Sequence, residues 1–155
     1  MLEQIAFSKR LGKDQSEALD ALAFPQTFNA GETIFLEGER HPFVYWIIEG
    51  QVGLEMASSG KTMRSLLTVG DGEFLAWSVL LTQRRMTATA KTVQPTRMLR
   101  FEIEPLLHLC ESNHEIGYRV MQDIAGQLAR RLLAARLQML DLFQNPAHFQ
   151  SEVSP

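Results

Sequence analysis

Between residues 26 and 102 apolar side chains recur at every second position in short runs, and glycine interrupts them at 31, 38, 50, 53, 60, 70 and 72. Thr33 alternates with Phe35, Val44 with Trp46 and Ile48, Val52 with Leu54 and Met56, and Leu66 with Thr68. Met98 and Arg100 fall on one parity of a later run, Leu99 and Phe101 on the other. A period of two over runs this short, punctuated by turn residues, specifies antiparallel strands rather than helices. Many short strands of this kind close into a sandwich or jelly roll, which leaves a pocket between its sheets. Gly38 and Gly50 are expected to supply positive φ at turns, and ASSGK at 57–61 to form a hairpin tip.

Helical spacing flanks this region. Residues 14–24 are expected as a helix with Leu19, Leu22 and Ala23 on one side and Pro25 as its stop. Glu104-Pro105 opens a second helix over 104–111, in the way a first-turn proline does. Ser112-Asn113-His114-Glu115 has the form of a capping box, and no proline follows until Pro146, so 112–143 is expected as one long helix. Its core of about 28 residues would run roughly 42 Å.

Within that helix Met121, Ala125, Leu128, Leu132, Ala135, Met139 and Leu142 recur at alternating steps of four and three, the spacing of a two-stranded coiled-coil seam. Val120, Ile124, Leu133, Leu137 and Leu140 form a second set, expected against the β-domain. A helix with two apolar faces needs two partners, and the same helix of a second copy is the economical other one. Packing on its own barrel alone is the alternative. Residues 1–143 then make a single domain, and 144–155 a short polar tail.

Composition excludes several function classes. At 155 residues and 45% hydrophobic content the chain suits one soluble domain with its own core. No apolar run approaches the roughly 18 residues that span a membrane. The N-terminus has no basic leader before an apolar block, which points to the cytoplasm. The single cysteine, Cys110, excludes an internal disulfide and a multi-thiolate metal site. A net charge of -3 argues against a dedicated nucleic-acid surface, and Arg130, Arg131 and Arg136 read as a solvated helix face.

Enzymatic constellations are missing as well. His108, Cys110 and His114 straddle the break between two helices and read as core or surface residues rather than metal ligands. His41 is the one histidine of the β-region, short of the His-x-His pair of a cupin-type metal site. No nucleophile elbow or phosphate-binding loop is visible. Neither an enzyme nor a metal cofactor is expected.

The stretch at 70–92, GDGEFLAWSVLLTQRRMTATAKT, reads as a turn, a helix start and a strand. Backbone N–H groups at a helix N-terminus beside a basic residue on a strand can seat a phosphate; a plain turn and crossover is the other reading. In order and spacing it resembles the phosphate-binding cassette of the cyclic-nucleotide-binding domain in the cyclic-AMP receptor protein (Crp/Fnr-type) family. The match extends upstream through FNAGETIFLEGE at 28–39 and VYWIIEGQV at 44–52, and downstream to the long helix, covering about residues 19–143.

The resemblance implies a mainly β fold with helices: an antiparallel jelly roll (double-stranded β-helix), an N-terminal helix and a long C-terminal dimerisation helix that also covers bound nucleotide. Transcription factors of the family carry a helix-turn-helix after that helix. The residues after 143 are too few to form one, so direct DNA binding is not expected.

At the level of single residues the cassette departs from the family. Members that hold cyclic AMP place Gly-Glu at the helix start, the Glu accepting the ribose hydroxyl, and follow with an Arg-Ser/Thr-Ala-Thr strand whose Arg pairs with the phosphate. Aligned on Thr87-Ala88-Thr89, that Arg becomes Met86, with Arg85 and Arg84 one and two places early. The Gly-Glu pair becomes Ala76-Trp77, followed by Ser78, and an indole offers only a donor. The Thr-Ser pair that meets the purine becomes Ala135-Arg136.

The candidate pocket is therefore Ala76, Trp77, Ser78, Arg84, Arg85, Met86, Thr87 and Ala88, with Ala135 and Arg136 from the helix. A stand-alone ligand-sensing domain follows, for a cyclic nucleotide or another small anionic ligand, with cyclic AMP bound weakly or not at all. Its partners would be a second copy of the chain and an effector protein. A dimeric structural or interaction module with a self-filled pocket is the alternative.

Overall fold

Two four-stranded antiparallel sheets enclose one core in the computed structural model, which describes residues 9–57, 63–81 and 85–144. Helix α1 (Lys13–Asp20) is followed by β1 (Ala23–Phe28), β2 (Thr33–Phe35), β3 (Phe43–Glu49), β4 (Gln51–Ala57), β5 (Met63–Gly70) and β6 (Phe74–Leu75). A single helical turn, α2 (Ser78–Leu81), precedes β7 (Thr89–Thr92), β8 (Thr96–Glu102), α3 (Ile103–Ser112) and α4 (His114–Gln144). The first sheet has the order β1-β8-β3-β6 and the second β2-β7-β4-β5. This is the jelly roll expected from the glycine-punctuated runs.

The register explains which positions are buried. Strand β3 lies inside the first sheet, between β8 and β6, and Val44, Tyr45, Trp46 and Ile47 are all buried. The alternation Val44, Trp46, Ile48 is thus only half the pattern, because this strand is covered on both faces. Trp46 meets Phe74 edge-on at 4.8 Å, while Tyr45 belongs to an aromatic group that reaches Phe35 of the second sheet through His41. Gly38 and Gly50 have positive φ, as expected. At Gly50 a side chain is also excluded by space, since a Cβ would stand 2.6 Å from the Thr96 Cα.

The helix expected over 14–24 ends early. It stops at Asp20, and Ala23–Phe28, Pro25 included, pairs with β8 in register from Ala23↔Phe101 to Phe28↔Thr96. Strand β1 lies at the edge of its sheet, where a proline's missing N–H costs no ladder bond. The expected strand through 86–92 shortens to β7, with Arg85 only bridging Arg40. Most of the expected hairpin tip at 57–61, and the tail beyond Gln144, lie outside the described residues.

The long helix starts at His114 rather than 112, because Asn113 caps it: its Oδ1 accepts the Ile116 N–H at 3.2 Å. Helices α3 and α4 cross at Gly117, where a Cβ would lie 2.6 Å from the Cys110 carbonyl oxygen. Cys110 is buried at this crossing, and burial pushes its thiol up to about 11. Ile116, Val120, Ile124 and Gln127 form the buried stripe of α4.

Beyond that stripe the helix leaves the body of the domain. Leu133, Leu137 and Leu140, expected against the β-domain, are instead more than half exposed. Helical rotation carries residues 133–140 away from the line of Ile116, Val120 and Ile124, and Gln127 and Arg131 continue that line. No helix among the described residues is long and apolar enough to cross a membrane.

Candidate functional site

The cassette begins at the turn after β5. Asp71 accepts the Gly50 N–H at 2.8 Å, Gly72 donates to the Ile47 carbonyl at 2.8 Å, and Glu73 accepts the Gly70 N–H at 3.1 Å. Three contacts thus fix the turn against neighbouring chain. Beyond β6, Ala76 has a φ of 66°, the one positive φ of a non-glycine residue among those described. An alanine enters that region at a cost of about 1–2 kcal/mol, and glycine enters it freely. Ala76 thus holds a conformation that glycine suits better.

Helix α2 follows, with Val79 and Leu80 buried beneath it. The Val79 and Leu80 N–H groups donate to the carbonyls of Ala76 and Trp77. Trp77 and Ser78 are half-buried, and Trp77 packs against the core.

On the returning segment the apolar side chain faces the core and the charged one the outside. Met86 is 3% exposed and belongs to the core. Its N–H donates to the Glu39 carbonyl at 2.9 Å and its carbonyl accepts from Gly38 at 2.7 Å. Arg85 is exposed, and its Nη1 donates to the Gly38 carbonyl at 3.0 Å. Thr87 is exposed and Ala88 buried, while Arg84 lies outside the described residues. Adjacent residues of an extended segment point to opposite sides, so a buried Met86 carries Arg85 outward.

Among the described residues, no hydrogen bond or ion pair ties the two helix candidates to residues 76–78 or 85–88. Ala135 and Arg136 are exposed on the distal half of α4, Arg136 in a shallow surface depression with Leu133, Leu137, Met139, Leu140 and Phe143. Helix α4 reaches the cassette earlier along its length. Gln127, 2% exposed, accepts the Phe74 N–H at 2.8 Å and donates to the Phe74 carbonyl at 2.9 Å. One turn later Arg131 donates to Glu73 at 2.7 Å and to the Thr68 carbonyl at 3.1 Å. Arg131 is therefore an anchoring residue rather than part of a solvated face; Arg130 and Arg136 are exposed.

Sequence reasoning passed over Gln127. The signal was a lone amide continuing the apolar line of Ile116, Val120 and Ile124, where a buried polar group must find partners.

A second group missed from the sequence joins the two sheets. The His41 Nε2 and Tyr45 hydroxyl are 2.8 Å apart, with Phe35 and Phe43 rings at 5.2 and 5.5 Å from the imidazole. The Arg100 guanidinium lies 4.4 Å over the Phe43 ring. Burial lowers the His41 pKa below its ordinary value against the pull of Glu39, and pushes the Tyr45 hydroxyl up to about 12. A cavity of about 340 Å³ opens beside this group, lined by Arg40, His41, Pro42, Ile103 and Glu104.

The family model described as "Cyclic nucleotide-binding domain" matches residues 25–113, more than half of the chain. A candidate potassium channel protein of Rhodopseudomonas palustris is 30% identical over 112 residues, 72% of this chain and 26% of that protein. The cyclic AMP receptor protein of Thermus thermophilus is 29% identical over 109 residues, 70% of this chain and 49% of the relative. The chain thus spans about a quarter and about half of the lengths of these two relatives.

Among solved structures, a cyclic nucleotide-binding domain from Methylobacillus flagellatus superposes with a TM-score of 0.79 over 90% of this chain and 82% of that one. At 15% identity it speaks to the fold alone. The two-sheet roll and the family match over 25–113 agree: this chain belongs to the cyclic nucleotide-binding domain family, with relatives of the Crp type.

Proposed function

We propose that the chain is a ligand-sensing regulatory domain whose cassette has lost its grip on the cyclic phosphate, so that cyclic AMP binds weakly or not at all. The observation that carries this reading is at residues 85 and 86: Met86 is buried in the core where the family's arginine would stand, and Arg85 is held outside by the Gly38 carbonyl. Loss of one charge-assisted contact forfeits roughly 1.5–3 kcal/mol, about one to two decades in affinity. Trp77 removes the ribose acceptor as well. The domain acts without catalysis: a small anionic ligand biases the segment 70–81, and the long helix carries that bias to a second copy or to an effector protein.

The homodimer of this proposal runs along Met121, Ala125, Leu128, Leu132, Ala135, Met139 and Leu142. Its support is the exposure of Leu132 (62%) and Met139 (57%) on the distal part of the helix, whereas Met121 and Leu128 are half-buried against the domain's own core. Direct DNA contact, a membrane and a metal have no part in it, and the cytoplasm is the compartment proposed. Titration calorimetry with cyclic AMP and cyclic GMP tests the cassette reading, and micromolar or tighter binding overturns it.

A second reading has its own support. Met86 and Trp77 both pack on the core, which suits an interaction module whose pocket is filled by its own side chains. A panel of cyclic mono- and dinucleotides that leaves the thermal transition unmoved would favour that module.

A further inference from the structure

We propose that Gln127 is the residue that positions the cassette on the long helix, by acting as an extra strand residue along β6. Its amide presents one acceptor and one donor to the N–H and C=O of the same residue, Phe74, at 2.8 and 2.9 Å, the pattern a neighbouring strand would offer. Strand β6 is two residues long and has β3 as its one strand neighbour among the described residues, and a side chain from α4 takes the place of the next strand.

The clamp is buried, with Gln127 at 2% and Phe74 at 2% exposure, so breaking it leaves polar groups where water does not reach. It sits two residues before the left-handed Ala76, from which α2 departs. Arg131 adds a second tie one turn along, to the carboxylate of Glu73 that also accepts the Gly70 N–H.

Consequently the segment from 70 to 76 cannot shift relative to α4 without exchanging these bonds, and a displacement of either is a displacement of both. The inference rests on the sensor reading only in taking this segment as the part that responds. It is read without any ligand or dimer, so it can fail while the sensor reading stands, and the reverse.

Amide hydrogen exchange on the full chain tests it with two substitutions. Gln127→Met keeps volume and removes both bonds; the Phe74 amide and those of residues 75–80 should exchange at least about tenfold faster, while Val52 and Val69 in the second sheet stay within about twofold. Gln127→Glu keeps the acceptors and loses the donor when ionised, but regains an O–H donor when protonated. Its protection at 74–80, corrected for intrinsic exchange, should therefore exceed that of Gln127→Met at pH 5, where the carboxyl is protonated and again offers a donor. Equal loosening of all strands in Gln127→Met, or protection at 74–80 in Gln127→Glu at pH 5 no better than in Gln127→Met, overturns the proposal. Should Gln127→Met fail to fold, Gln127→Glu decides alone.

Discussion

The guanidinium of Arg85 is bound to the carbonyl of Gly38 at 3.0 Å, on the outside of the cassette that its neighbour Met86 enters. Removal of this exposed contact by Arg85→Ala should cost less than about 1 kcal/mol in denaturant unfolding. It should also leave the cyclic AMP titration unchanged. A loss of nucleotide binding on this substitution would return Arg85 to the pocket.

Restoring charge at Met86 tests the same relationship from inside. Met86→Arg buries a cation without an anion and should destabilise the domain by about 3 kcal/mol. In the double variant Met86→Arg, Trp77→Glu, millimolar cyclic AMP should raise the thermal midpoint, whereas the parent protein should show no rise. An equal response in both would mean that the native cassette already holds the phosphate.

Ala76 carries a backbone that glycine would hold without strain. Ala76→Gly should stabilise the protein by about 1 kcal/mol, with the entropy gained by the unfolded chain trimming the benefit. Scanning calorimetry should register a rise of roughly 3 °C for a domain of this size.

Sedimentation velocity should find the protein dimeric, and Leu132→Glu on the proposed seam should shift it to monomer at tens of micromolar. Leu137→Glu, also exposed but on another side of the helix, should leave the dimer intact. The reverse outcome would move the interface to the second apolar side.

His41 sets a pH dependence. Burial holds its folded pKa below the ordinary 6.5, so below about pH 6.5 the unfolded chain binds a proton that the native state refuses. Its contribution to stability is present above 6.5 and is lost as pH falls through that value toward the folded pKa. The thermal midpoint should fall over this window, and His41→Gln, which keeps a partner for the Tyr45 hydroxyl, should flatten the decline.

What could be read from the residues follows from where the information resides. Gly38 and Gly50 announce turns because local sterics demand it, and the proline-free run from Ile116 announces a helix for the same reason. Met86 is apolar in its own right, and its place in the core follows from that.

Tertiary facts were less accessible. Pro25 sits in a strand because β1 is an edge, which its own neighbours do not encode. Tyr45 and Ile47 are buried because β3 lies inside its sheet, whereas period two describes strands with one wet face. Leu133, Leu137 and Leu140 looked like a buried face, yet all three are more than half exposed. Gln127 and Arg131 looked ordinary because their partners, Phe74 and Glu73, are more than fifty positions away.

The tight crossing at Gly117 gives α4 a fulcrum. With its root pressed against the Cys110 carbonyl and its last tie at Arg131, the remaining stretch to Gln144 projects as a cantilever of about 20 Å. A bend of roughly 10° at Arg131 would sweep the tip by about 3 Å, comparable with the height of two helical residues. A bend confined to the stretch beyond Arg131 would thus leave the ties to Phe74 and Glu73 in place and still displace the far end of the helix.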